Sequence, residues 1–435
     1  MKRYAIEELK KWKNKEYRKP LIIQGARQVG KTWLMKEFGK NYYQNVAYIS
    51  FDKNKTMQEL FAVDMDIKRI IPALEIEAST KITTDTLIIF DEIQECPNAI
   101  TSLKYFYENA PEYHIICAGS LLGIYLHSKV SFPVGKVEFL DLYPLSFSEF
   151  LDAMGQEQLL ELLQKRDEKL LSIFSDKIKE LLKYYFYIGG MPEVVSRYIA
   201  NKNIHEVQEI QKQILATYER DFSKHIPTLT FPKVKLLWDS IPSQLSKEHK
   251  KFVYSNIQQG ARAREYENAM AWLKDCGLIY KVNKITKPSL PLKAYEDISS
   301  FKLFMLDIGL LSAVTKLNVK TLLEGDNLFT EFKGALTEQY VLQQLQTLKS
   351  KNIDIFYWSN DSSTAEIDFI VQTDSHIIPL EVKSATNLKS KSLISYREKY
   401  NPSISIKTSL SDFSIKDGLY NIPLYMIEYL CEILG

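Results

Sequence analysis

Residues Gly25-Ala26-Arg27-Gln28-Val29-Gly30-Lys31-Thr32 place two glycines, a lysine and a hydroxyl at the spacing G-x-x-x-x-G-K-[ST]. That spacing suits a polyphosphate. Gly25 and Gly30 permit backbone angles that turn successive N–H groups inward. Lys31 brings a full charge to the β- and γ-phosphates, and Thr32 offers a hydroxyl to magnesium. The apolar "PLIIQ" before the loop reads as a short buried strand, and "WLMKEFG" after it as a helix. The start of that helix adds free N–H groups and a partial positive charge. The expected cradle is Gly25, Ala26, Arg27, Gln28, Val29, Gly30, Lys31, Thr32 and the adjoining Trp33. Its expected ligands are a nucleoside triphosphate and Mg2+.

A second group of residues fits the same chemistry. "TLIIFDEIQECP" is an apolar strand ending in Asp91-Glu92. The carboxyl end of a strand is where an open α/β sheet binds its ligand. There Asp91 would hold magnesium, and Glu92 would polarise the water attacking the γ-phosphate. "VAYISFD" (Val46–Asp52) and "YHIICAGS" (Tyr113–Ser120) read as neighbouring strands. Ser120, at the tip of the latter, is the candidate sensor of the γ-phosphate. "VEFLDLYPLSFSEFL" (Val137–Leu151) supplies a last strand and the start of a helix. These elements predict an α/β core with a parallel sheet and helices on both faces.

Positioning two such groups takes a folded chain, and the composition supplies one. The 435 residues suggest two to four domains, with ordinary hydrophobic (45%) and charged (25%) fractions. A net charge of +2 names no partner, so any nucleic-acid surface must be local. The four cysteines have no CxxC spacing, which argues against a zinc site and for a reduced compartment. The charged start lacks an apolar signal core, and no apolar run reaches the roughly 18 residues of a membrane span. "FKLFMLDIGLLSAV" comes nearest, but it is short and carries Asp307. The expectation is a soluble cytoplasmic protein with no membrane partner.

Residues 151–225 show apolar positions at helical spacing, broken at "YIGGMP". From about 230 to 300 the order is helix, strand, turn, strand, as in a winged helix. Its helix carries Arg262 and Arg264 but also Glu265, Glu267 and Asp275, a poor electrostatic fit to phosphate. Packing between domains suits it better than reading DNA.

The stretches "GARQVGKTWLM", "LIIFDEIQECP", "CAGSLLG", "LYPLSFSEF" and "YIGGMPEVV" occur here in series. So do "YERDFSKH", "ARAREYENAMAWLKDCGLIYKV", "FKLFMLDIGLLSA", "FKGALTEQYVLQQL" and "AEIDFIV…IPLEVKSA". Together they resemble a prokaryotic family of AAA-type ATPases whose C-terminal region is a domain of unknown function. The resemblance covers nearly the whole chain and implies adenine as the base, hence ATP. It implies a P-loop core (1–150), a helical lid (151–225), a winged-helix-like segment (226–315) and a restriction-endonuclease-like domain (316–435). It would put Gly190 and Pro192 where the lid meets the nucleotide. Such families place an arginine near "SFPVGKVEF", where this chain has Lys136. Lysine lacks the planar fork, so Arg27 or Arg18 would have to compensate.

Near the C-terminus, "EIDFIV" and "IIPLEVK" read as a hairpin joined by "QTDSH". Glu381 and Lys383, two apart, project to one face, and the hairpin could bring Asp368 beside them. This is the D…ExK arrangement of restriction-type nucleases. There carboxylates hold Mg2+ against a phosphodiester and the lysine orients water. In nucleases of this fold a helix glutamate can complete the metal site, which makes Glu338 a candidate. Glu366 shares a face with Asp368 and could reach the same site. Lys389, Lys391, Arg397 and Lys399, interleaved with Tyr396 and Tyr400 and opposed only by Glu398, form a candidate phosphate-facing patch. The expected function is ATP hydrolysis that switches a nuclease-like, DNA-associated module. The alternative is a signalling ATPase whose C-terminal domain binds a protein partner without catalysis. The oligomeric state stays open.

Overall fold

The computed structural model describes residues 1–119, 132–247, 250–318, 330–348, 352–360, 364–384 and 390–434. The chain divides into two compact units. Residues 2–143 and 275–278 form the first; 144–274 and 279–435 form the second.

The first unit is built on β1 (Leu21–Gln24), β2 (Asn45–Ser50), β3 (Thr86–Asp91), β4 (His114–Ala118) and β5 (Glu138–Asp141). They lie in the order β2-β3-β4-β1-β5, with every neighbouring pair parallel. All six residues of β3 are buried. A strand that is apolar without alternation must be covered on both faces, and a parallel sheet meets that condition. Phe51, Phe61, Phe90 and Phe106 pack as neighbouring rings with centroids 5.4–6.4 Å apart. Offset and edge contacts of this kind suit the aromatic quadrupole. The core thus agrees with the parallel α/β reading of the sequence.

Among the described residues, the second unit begins with eight α-helices, from Phe147–Ala153 to the helix that starts at Ala263. Ser146 opens the first through a reciprocal capping box with Glu149. A mixed sheet follows: β6 (Ile279–Ile285), β7 (Glu296–Met305), β8 (Asp354–Ser359), β9 (Glu366–Gln372), β10 (Ile377–Val382), β11 (Ser405–Ser409), β12 (Ser414–Lys416) and β13 (Leu419–Pro423). Its order is β12-β13-β11-β10-β9-β8-β6-β7. The β6–β7 hairpin, read from sequence as part of a winged helix, therefore extends the C-terminal sheet. It joins through parallel pairing of β6 with β8 at Lys284–Tyr357 and Ile285–Trp358.

Asp307 ties this unit together. Fully buried, it accepts bonds from Leu310 N (3.0 Å), Gly190 N (2.7 Å) and Gln343 Nε2 (3.0 Å). The break at Gly189-Gly190 has a steric cause. Gly189 sits at φ +75°, and a Cβ on Gly190 would stand 2.2 Å from Leu145 O. No helix among the described residues is long and apolar enough to cross a membrane.

Candidate functional sites

In the first unit the loop after β1 turns back on itself because Gly25 (φ 141°), Gln28 (φ 67°) and Gly30 (φ 94°) hold positive φ. A Cβ on Gly25 would meet Leu142 O at 2.3 Å, so only glycine fits there. Arg3 fixes the loop from outside, donating to Val29 O (2.9 Å) and Tyr143 O (2.6 Å). The turn at Gly277 closes in on Ala26, whose N would lie 3.1 Å from a Cβ there. The helix Lys31–Tyr42 starts directly behind Gly30, with no side chain capping its first N–H groups. Open donors at a helix start favour an anion.

Lys31 is buried, and its ammonium donates to Gly25 O and Ala26 O, each at 2.8 Å. Desolvation lowers its pKa to about 8, against the opposing pull of Glu92 and Asp91. Protonation of Lys31 is therefore linked to phosphate binding. Above pH 8 the free loop loses its charge, while a bound polyphosphate favours the ammonium. ATP affinity should fall by about tenfold per pH unit from near pH 8 upward. Isothermal titration from pH 6.5 to 9.5 measures that slope.

Asp91 closes β3 and is buried. Its Oδ2 accepts from Thr32 Oγ1 and from Tyr48 OH, both at 2.8 Å. Glu92 follows in the left-handed region at φ 50°. A non-glycine residue there carries strain of about 1–3 kcal/mol, which the surrounding structure must impose. Gln94 Nε2 donates to Glu92 Oε2 at 2.5 Å, while Gln94 Oε1 is buried without a hydrogen-bond partner. Thr32 Oγ1 and Asp91 Oδ2 meet at 2.8 Å, and a hydroxyl with a carboxylate is a donor set that fits Mg2+ next to a polyphosphate.

Several expected residues are placed elsewhere or engaged. Trp33 is 42% exposed. Arg18 donates to Lys13 O (3.2 Å) and Pro111 O (3.1 Å), before β1 and β4 begin, whereas the phosphate loop leaves the far end of β1. It is thus engaged at the opposite end of β1 from the cradle. Lys136 pairs with Glu108 at 2.9 Å. Gly190 and Pro192 belong to the second unit, where Pro192 opens the helix Pro192–Asn201. Ser120 lies outside the described residues. Tyr48 and Arg3 escaped the sequence reading. Tyr48 reaches Asp91 across the β2–β3 register, in which Ser50 pairs with Asp91.

The second constellation lies in the second unit. β9 and β10 form the expected hairpin, with Leu380 opposite Phe369. Val382 N donates to Asp368 Oδ2 at 2.8 Å, and Lys383 Nζ to Glu381 Oε1 at 2.7 Å. Glu338, on the helix Thr330–Thr347, joins them. Two further lysines are present that the D…ExK pattern does not contain. Lys302 of β7 is 0% exposed, with Nζ 2.5 Å from Glu366 Oε1, 3.7 Å from Glu338 Oε2 and 3.9 Å from Asp368 Oδ1. Lys250 donates to Glu338 Oε1. Burial and the neighbouring Glu338 and Glu381 push the Asp368 carboxyl well up. Burial also raises Glu381, against the pull of Lys383.

This donor set does not fit a divalent cation. Glu338 Oε2 and Glu381 Oε2 lack hydrogen-bond partners, yet Lys302 stands beside the first. A divalent ion at about 2.1 Å from Glu338 Oε2 would lie within about 6 Å of that ammonium. Lys302 Nζ already stands 2.5–3.9 Å from oxygens of Glu366, Glu338 and Asp368, the space such an ion would need. Among the described residues, no group of three or more His, Cys, Asp or Glu side chains is arranged to hold a metal ion.

The basic patch also changes character. Lys389 lies outside the described residues. Tyr396 is buried against Trp358, with ring centroids 5.1 Å apart, and Arg397 donates to Asp417 O. Tyr396 thus packs the core, while the half-buried Tyr400 lies beside it with ring centroids 4.8 Å apart. Lys302 had a sequence signal, as a lysine inside the apolar run "FKLFML".

Residues 17–151 match the AAA domain family. Residues 179–321 and 333–427 match two domains of unknown function, DUF8612 and DUF4143. No curated protein matches the chain. Among solved structures, a Walker-type ATPase of Pyrococcus abyssi is similar at 15% identity and TM-score 0.44, over 72% of this chain and 95% of that one. The ORC1 protein of Aeropyrum pernix in complex with DNA is similar at 11% identity and TM-score 0.29, over 73% and 93%. At these values the likeness carries no argument about function. Residues 17–151 thus carry both the AAA-domain match and the Thr32–Asp91 cradle geometry.

Proposed function

We propose that this chain is an AAA-type ATPase that uses ATP hydrolysis to switch a C-terminal, nuclease-like module that associates with DNA. The observation that carries the hydrolytic part is the Thr32–Asp91 bond with the strained Glu92 beside it. Lys31 exchanges its two loop carbonyls for phosphate oxygens, and the amides at the start of its helix bind the same polyphosphate. Thr32 and Asp91 would hold Mg2+, which supplies divalent charge to the phosphate oxygens when bound. Glu92 takes the proton of the attacking water, and Gln94 fixes the carboxylate that receives it.

The DNA association rests on the D…ExK placement of Asp368, Glu381 and Lys383. A second reading, a protein partner, is favoured by the burial of Tyr396 against Trp358 and the engagement of Arg397 by Asp417 O. One experiment separates them. Fluorescence anisotropy compares DNA affinity of protein loaded with ATPγS and with ADP. A switch of ordinary strength changes affinity by about 5–150-fold. Equal DNA affinity in both states contradicts the coupling. Absence of DNA binding in both, with hydrolysis intact, assigns the module to a protein partner.

A further inference from the structure

The D…ExK pattern needs two or three carboxylates and one lysine. Here four carboxylates, Glu338, Glu366, Asp368 and Glu381, share their neighbourhood with three ammonium groups, Lys250, Lys302 and Lys383. Lys302 stands between three of the acids and is shut off from solvent. It comes from β7, a strand outside the hairpin that carries the pattern. Lys250 holds the far oxygen of Glu338 from yet another segment. An internal ammonium cannot diffuse away or exchange, unlike a bound ion.

We propose that Lys302, supported by Lys250, is a built-in cation that takes the place of the divalent metal among Glu338, Glu366 and Asp368. The C-terminal module therefore keeps the architecture of a metal nuclease while lacking its metal. It engages its ligand without metal-dependent cleavage of a phosphodiester. Buried charges stay put when they are paired, and removing one partner leaves the others uncompensated. Lys302→Met removes the charge, keeps the apolar stem and leaves the carboxylates free for an ion.

The inference rests on reading Asp368 and Glu381 as a nuclease-type pair, and the test separates the two claims. Mn2+ binding is measured by electron paramagnetic resonance on the nucleotide-free full chain, as wild type, Lys302→Met, Asp368→Asn and the double variant. Wild type and Asp368→Asn should take up Mn2+ identically. Lys302→Met should gain one site per chain, at least about tenfold tighter than any in wild type, and Asp368→Asn should remove it. Wild-type uptake that disappears in Asp368→Asn overturns the inference and leaves the nuclease-type pair standing. A folded Lys302→Met chain without a new site overturns the claim that the lysine fills the metal's place. A new site insensitive to Asp368→Asn overturns the pair itself. If Lys302→Met does not fold, the comparison of wild type with Asp368→Asn still decides the central claim.

Discussion

Glu92→Gln should bind ATP with unchanged affinity and hydrolyse it about 10²–10⁴-fold more slowly. Glutamine has the same shape and still accepts the bond from Gln94, but it cannot take a proton from water. General-base contributions of that size are typical. The backbone argues for the same assignment. Glu92 keeps a left-handed conformation at the end of an all-buried strand, and its charge acts on Lys31 of the phosphate loop. Asp91 is already engaged by Thr32 and Tyr48, so it is a poor candidate for the base. Steady-state turnover, paired with a binding titration, reads both halves of the expectation. A variant that turns over at the normal rate would remove Glu92 from the mechanism.

Lys31→Ala should act at an earlier step, because it takes away binding itself. Its ammonium is buried and bonded to two carbonyls of the loop it charges. Alanine leaves Gly25 O and Ala26 O without that donor and leaves the phosphates without their one buried cation from the loop helix. Hydrogen bonds to charged groups are worth about 1.5–3 kcal/mol each. Losing two such contacts to phosphate weakens ATP binding by about 10²–10⁴-fold. The fold should persist, since the side chain adds only a polar tip to a helix already packed through Leu34, Met35 and Phe38.

How much of this could be read from residues alone depends on range. The phosphate loop is local: eight consecutive residues contain the glycines, the lysine and the hydroxyl, and adjacent apolar strings declare the strand and the helix. Asp91 and Glu92 are equally local to β3. The hairpin that carries Asp368 and Glu381 is legible for the same reason. What escaped is long-range pairing. Arg3 reaches a loop 26 residues away, and Tyr48 reaches an acid 43 residues away. Lys302 reaches Glu366 from a strand whose place at the edge of the eight-stranded sheet no local pattern declares. Tyr396 shows the opposite error. Aromatic and basic residues alternating on a helix suggested a nucleic-acid surface, yet the helix turns Tyr396 toward Trp358 and the core. Spacing along a helix gives a face without saying what that face meets.

The central claim is that one loop, one ammonium and one acid pair gather and hydrolyse a nucleoside triphosphate. The most direct measurement titrates folded wild type and Lys31→Ala with labelled ATP and Mg2+, and follows release of the γ-phosphate. The account predicts one saturable equivalent and released phosphate for wild type, and neither for Lys31→Ala. Equal uptake by both proteins, or none by wild type, would contradict it.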